Sequence, residues 1–387
     1  MKSSWRLFRV AGIDIGVHYT WLFIFILFSW SLAAGIYPQQ HPGWTTATYW
    51  TAGVVTTLIL FISVLLHELA HSLVAQARGM KVSSITLFIF GGVSNLEEEP
   101  EKPRTEFAMA IVGPLTSLVL GFIFWGLAIG LAGHGVSFLD LINGKNQPTA
   151  LDAVMGYLGW INLSLAVFNL LPGFPLDGGR VLRSILWGST HSLQKATNAA
   201  AMVGRLFGWV FIAFGVYEVL GGNWVGGIWI AFIGWFLMSA ADASRREITL
   251  REHLSGIKVK DVMNTQPGSI NPETTVEEIV SNIFQRLHGR AVPVCANDKL
   301  LGIVTIDDVK KVPRDQWAVT RAERIMTRQP LYTVTPESGL SDAFKLIAQH
   351  AINQVLVTQD GKCIGILSRA DIIAHLQLSQ DLGMSKK

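Results

Sequence analysis

Cysteine is nearly absent from this sequence: two residues in 387, Cys295 and Cys363, neither in a C-x-x-C arrangement. That excludes a disulfide framework and a cysteine-built metal site. Two small buried residues in a reducing compartment is the reading favoured over a single disulfide. Charge is scarce too. Only 15% of residues are Asp, Glu, Lys or Arg, against 50% hydrophobic, and the mean hydropathy of +0.38 is too apolar for an ordinary soluble chain of this length. The net charge of +3 is small and sits beside hydrophobic runs. No basic patch interleaved with aromatics occurs, so no nucleic-acid partner is expected. Also lacking are an A-x-A-like cleavage site after the first apolar run and an Arg- and Ser-rich transit peptide. The first run is therefore expected to be retained, and the membrane to be a bacterial plasma membrane.

What the sequence does have is apolar stretches long enough to cross a bilayer, each near the roughly 20 residues a spanning helix needs. They lie near 17–37, 52–77, 106–132, 153–171, 201–220 and 224–241. Positive charge falls on alternate connections: Lys2, Arg6 and Arg9; Arg78, Lys81, Lys102 and Arg104; Arg180, Arg183 and Lys195; Arg245 and Arg246. The other connections hold only Lys145. Because Lys and Arg stay on the cytoplasmic side, both termini are expected there. The expected organisation is a membrane domain over 1–242, a linker over 243–256 and a cytosolic part from 257.

One apolar run carries ionisable groups. VLLHELAHSL, residues 64–73, holds His67, Glu68 and His71 inside the second stretch. A charged group near the bilayer centre costs at least about 2.5–3.5 kcal/mol, so a functional partner is expected. At about 100° per residue His67 and His71 project from one helix face, where two imidazoles can hold one zinc ion, with Glu68 beside them as general base. Catalytic zinc needs a third protein ligand. FNLLPGFPLDGGR, residues 168–180, offers Asp177. Pro172 and Pro175 each remove a helix donor, so the fourth helix must break near Leu171. Irregular backbone at membrane depth is tolerated only where protein or a polar cavity surrounds it. Asp177 then either completes a zinc site of two histidines and one aspartate or merely caps the next helix.

HELAH in the second helix, Gly113-Pro114 in the third and NLLPGFPLDGG after the fourth together resemble the site-2 protease family of intramembrane zinc metalloproteases, peptidase family M50. The resemblance covers roughly residues 10–240. It implies one Zn2+ per chain held by His67, His71 and Asp177, with Glu68 activating water. It implies peptide hydrolysis in a transmembrane segment of a protein substrate. Asn169 matches an asparagine thought to assist the substrate or the oxyanion; a polar residue bonded between helices is the equal alternative. Ser117 stands where relatives commonly carry asparagine, which weakens any role for that position. SSITLFIFGGVSN, residues 83–95, is β-branched and aromatic and reads as a short strand or hairpin. In the family such a sheet lies near the active site, where its edge could pair with an unwound substrate. Residues 97–103, EEEPEKP, are read as a solvated loop that could also gate the entrance.

After residue 256 the sequence repeats itself. Each unit has an opening V-M or I-M turn, a strand with a proline, a helix and two strands ending in G-I-x-[TS]-x-x-D, over about 257–313 and 321–378. These halves resemble tandem cystathionine β-synthase (CBS) domains. The resemblance implies an ATP or AMP site using Thr305, Asp308, Ser368 and Asp371, or homodimer formation through the repeats. The bland alternative makes each Asp a residue of a helix N-terminus. The expected fold is thus a polytopic α-helical membrane protein of six transmembrane helices with a small β segment, followed by an α+β tandem CBS pair. Two other readings compete: a nucleotide-regulated transporter or channel, and a catalytically silent metal-binding scaffold. A transporter predicts several ionisable groups along a path and related halves, and no internal repeat is visible among the helices.

Overall fold

A computed structural model of the chain describes residues 4–89, 91–96, 100–132, 149–254, 256–286, 290–296, 299–328 and 330–382. It divides into two compact units, Met1–Arg246 and Glu247–Lys387. The first opens with a hairpin, β1 (Ser4–Val10) and β2 (Ile13–His18), where the sequence predicted only a cationic tail. Ala11 and Gly12 both take positive φ, the requirement of a tight two-residue hairpin turn. Arg6 and Arg9 spend their charge locally, on Asp14 of the opposite strand.

Helix α1 (Tyr19–Ser31) continues through a π-helical turn at Leu32–Ile36 into α2 (Tyr37–Gln40). After Thr45, whose hydroxyl caps it, α3 (Thr46–Ala77) runs 32 residues. Strands β3 (Val82–Phe88) and β4 (Gly91–Leu96) follow, as residues 83–95 predicted. They join the first hairpin in one sheet of order β1-β2-β3-β4, with β2 and β3 parallel and the outer pairs antiparallel. Then come α4 (Pro103–Ala132), α5 (Ala150–Asn169), α6 (Asp177–Thr190), α7 (Leu193–Leu220) and α8 (Trp224–Leu254). Six helices among the described residues are long and apolar enough to span a membrane, matching the six predicted stretches. Lys145 and Glu97–Glu99 lie outside the described residues. Helix α8 runs through most of the stretch predicted as a linker.

The predicted break is present, between α5 and α6. Its donors are satisfied: Phe174 N–H reaches the Ala200 carbonyl of α7 at 3.2 Å, and Leu176 N–H reaches that of Gly173 at 3.1 Å. A Cβ on Gly173 would meet Gly204 of α7, and one on Gly178 would meet the Leu170 and Leu171 carbonyls. Glycine is what lets these backbones touch.

The second unit holds both repeats. The first has α9 (Val276–Ile279), β5 (Ala291–Ala296), β6 (Lys299–Thr305) and α10 (Ile306–Val309). The second has α11 (Ala322–Ile325), β7 (Thr333–Val334), α12 (Leu340–Gln349), β8 (Gln354–Gln359), β9 (Lys362–Ser368) and α13 (Arg369–Asp381). In the packing of the repeats the opening segments are exchanged. Val259 packs with Leu340, Ala343 and Leu367 of the second repeat, and Ala322 with Val276, Val292 and Val304 of the first. The repeated glycine of each G-I-x-[TS] motif explains how. A Cβ on Gly302 would stand 2.8 Å from the Thr327 carbonyl, and one on Gly365 2.8 Å from that of Asn264. Each glycine clears the path of the other repeat's opening segment.

Candidate metal centre

His67 and His71 stand one turn apart on the buried face of α3, with Nε2 atoms 3.1 Å from each other. Asp177 is the first residue of α6, and its Oδ2 lies 3.1 Å from His67 Nε2 and 3.2 Å from His71 Nε2. The capping alternative fails, because Leu176 is the N-cap and makes no side-chain bond. Among the described residues these three form the one cluster able to hold a metal ion.

Donor chemistry tests whether a cation fits. The Met109 carbonyl lies 2.6 Å from His71 Nδ1 and can only accept, so Nδ1 carries the hydrogen. In the neutral imidazole Nε2 then presents a lone pair, aimed where a second imidazole and a carboxylate oxygen converge. When His67 Nδ1 donates to Ser117 Oγ its Nε2 does the same, and three electron-rich atoms in contact then call for a positive charge between them. Bonds of 2.0–2.1 Å at tetrahedral angles put ligand atoms about 3.3 Å apart. The observed 3.1–3.2 Å separations suit zinc.

Helix α4 orients these ligands, a role the sequence reading missed. Ser117 Oγ lies 2.9 Å from His67 Nδ1, Met109 supplies the carbonyl for His71, and Gly113 leaves room between them. A Cβ on Gly113 would overlap His71 Nε2 and sit 2.7 Å from His67 Nε2. Although Ser117 departs from the asparagine common in relatives, its hydroxyl still bonds His67 and helps hold that ring in place. The available signal was spacing: 109, 113 and 117 fall on one helix face.

Glu68 borders the cluster, in electrostatic contact with His71, Asp177 and Arg180. Strand β4 crosses directly over it. A Cβ on Gly92 would overlap Glu68 Cγ and come within 3.0 Å of Cδ. As the last strand in the sheet order, β4 offers a backbone edge beside this carboxylate. Asn169 ends α5 and donates from Nδ2 to the Leu165 carbonyl at 3.0 Å, a bond within its own helix rather than between helices.

In the repeats, Thr305 with Asp308 and Ser368 with Asp371 form capping boxes. Asp308 accepts from the Thr305 amide at 3.0 Å and hydroxyl at 2.7 Å; Asp371 does the same with Ser368 at 2.8 and 2.7 Å. Ser368 and Asp371 also line a cavity of about 650 Å3 with Asn264, Arg290 and Arg369. Thr305 lines a smaller one of about 250 Å3 with Asp307, Tyr332 and Asn353, while Asp308 does not border it.

Six apolar helices and a buried cluster of two histidines and a carboxylate define a class, the membrane-embedded metallopeptidases. Comparison with known proteins supplies the family. The model of peptidase family M50 matches residues 55–211, and the CBS domain model matches residues 259–315 and 322–378. Two relatives whose names place them among zinc metalloproteases align almost end to end. The Synechocystis sp. protein sll0528 is 36% identical over 98% of this chain and 97% of its own; Rip3 of Mycobacterium tuberculosis is 35% identical over 96% and 92%. The solved site-2 protease from Methanocaldococcus jannaschii is 28% identical, covering 63% of this chain and 95% of its own at a TM-score of 0.42. The chain belongs to peptidase family M50: it is a site-2-protease-type zinc metalloendopeptidase carrying two CBS domains.

Proposed function

We propose that this enzyme hydrolyses a peptide bond inside a transmembrane segment of a protein substrate, using one zinc ion held by His67, His71 and Asp177. The observation that carries the reading is the meeting of three candidate ligand atoms within 3.2 Å, two from one helix and the third from Asp177, which is 106 and 110 residues away from them in sequence. Zinc bound there lowers the pKa of water and polarises the scissile carbonyl. Glu68 takes the proton of the attacking water on its carboxylate and delivers it to the leaving amide nitrogen. A substrate helix hides its carbonyls in its own hydrogen bonds, so it must unwind locally. The edge of β4, crossing Glu68, can pair with the unwound strand and hold it extended. Asn169, one residue before the break, is suited to bond the substrate carbonyl.

The CBS repeats regulate this activity through ATP or AMP, with Thr305 at the smaller cleft, capped by Asp308 behind it, and Ser368 and Asp371 at the larger, or through homodimer formation. The larger cavity supports nucleotide there, since Arg290 and Arg369, which can pair with phosphate, line it together with Ser368. Both termini face the cytoplasm of a bacterial cell, as alternating positive charge implies. The test is cleavage of a co-expressed single-span substrate by wild type and Glu68→Gln. Loss of a general base should slow cleavage by roughly 10²–10⁴-fold. Unaltered cleavage overturns the mechanism, and favours a silent scaffold if wild type is equally inert.

A further inference from the structure

The deepest charge in the membrane unit is one the proposed mechanism does not use. Glu106, in the first turn of α4, is 0% exposed. Its Oε1 accepts from Arg183 Nε at 2.7 Å and from Arg183 Nη2, with Arg180 Nε 3.9 Å away. Oε2 has no hydrogen-bond partner among the described residues. An ion taken out of water this completely costs several kcal/mol, which its partner must offset. Such a pair is a poor way to gain stability, so its geometry is the feature to explain.

Both arginines belong to α6, three and six residues beyond Asp177, within about a third of the helix circumference. The same helix therefore presents its metal-facing carboxylate at its start and its grip on α4 one to two turns later. Arg183 is fixed from a second side, its guanidinium 5.0 Å from the Phe174 ring centroid in the break that leads into α6. On α4, Glu106 shares a face about 80° wide with Met109, Gly113 and Ser117. That face touches His71 through Met109, both histidines at Gly113, and His67 through Ser117. One helix surface thus meets two ligands directly and reaches the helix of the third through Glu106.

We propose that Glu106 is a positioning residue: through its ion pair with Arg183 it sets where α6 holds Asp177 against His67 and His71. The planar guanidinium fork fixes direction as well as distance, which a lysine in its place could not. This inference rests on the assignment of those three residues as zinc ligands.

The test uses full-length protein loaded with zinc, following metal transfer to a chromophoric chelator, and the d–d absorption of the cobalt-substituted form. Glu106→Gln should release zinc about 10–100-fold faster, the usual effect of losing a group that orients a ligand, and should alter the cobalt spectrum. Because Glu106 acts through Asp177, the substitution should add nothing in an Asp177→Ala background; a general loosening of the fold would add its full effect there. Unchanged release, or an equal acceleration in both backgrounds, overturns the proposal. Should Glu106→Gln not fold, Glu106→Asp keeps the charge and shortens the arm by one methylene, and is judged by the same two measurements. If Asp177→Ala itself releases zinc no faster than wild type, the ligand assignment fails instead.

Discussion

The two units treat polar side chains in opposite ways. In the membrane unit the buried ones gather in two groups held between the same three helices, His67, His71, Ser117 and Asp177 in one and Glu106 with Arg183 in the other. In the repeats they are plentiful and dispersed, as surface pairs such as Lys258 with Glu337 and Lys310 with Asp307. Among the described residues Asp308 is the one buried charge there, and its carboxylate serves a cap. Water accounts for the difference. Where solvent can satisfy a charge its position is loosely constrained, whereas in an apolar layer each charge must find a partner or shift the fold to get one. Some buried charges in the membrane unit only cap a helix, as Asp152 does with Thr149, but the clusters around His67 and Glu106 join separate helices, whereas those in the repeats are mostly local.

The strongest way to break that contrast is a set of three glycine substitutions. Gly113→Ala places a methyl group on both ligand histidines, so metal affinity should fall by at least about a hundredfold, beyond the loss of any single supporting bond. Gly126→Ala in the same helix meets nothing within 4 Å and should leave metal content intact. Gly302→Ala, against the exchanged segment at Thr327, should lower the thermal stability of the repeats without changing zinc stoichiometry. Metal analysis and a melting curve on each purified variant decide. Full zinc in Gly113→Ala, or zinc loss in Gly302→Ala, would remove the distinction.

A smaller effect is expected at Ser117. Ser117→Ala removes one bond to His67 and leaves the three ligands in place, so zinc should bind about tenfold more weakly. Competition with a chelator measures this, and affinity equal to wild type would show that packing alone holds the ring.

How much of this could be read in advance follows the same division. The six apolar stretches were legible from their length, and His67, Glu68, His71 and Asp177 stood out because an ionisable residue at membrane depth is conspicuous. The break after α5 was legible because two prolines forbid continuation. Gly113 and Ser117 were noticed only as parts of a motif, and Glu106 not at all, since a helix face becomes meaningful only when its neighbour is known. The first hairpin was hidden for another reason: Arg6 and Arg9 look like topogenic charge in sequence, yet they pair across strands with Asp14. In the repeats, the outline of strands and helices was plain. The exchange of opening segments was invisible, because both copies carry the same pattern and either could receive it.

The contrast also has a pH signature, and it is the smallest effect expected. Glu337 is held at about 2, down from an ordinary 4.5, first by its hydrogen bond from Lys258 at 2.5 Å and then by that from Lys260 at 2.7 Å. A carboxylate depressed on folding contributes its full stability above its unfolded value, and loses it as pH falls through its folded value. The repeats should therefore lose stability between about pH 4.5 and 2, and Glu337→Gln should flatten that part of the curve. All three groups are solvent-exposed, where water and salt screen the attraction, so at neutral pH the variant should melt close to wild type. Both lysines belong to the opening segment of the first repeat and Glu337 to the second, so the pair sits on the exchange itself. If the acid unfolding of Glu337→Gln matches wild type across that window, the bridge is ornamental and the exchange rests on apolar packing around Val259 alone.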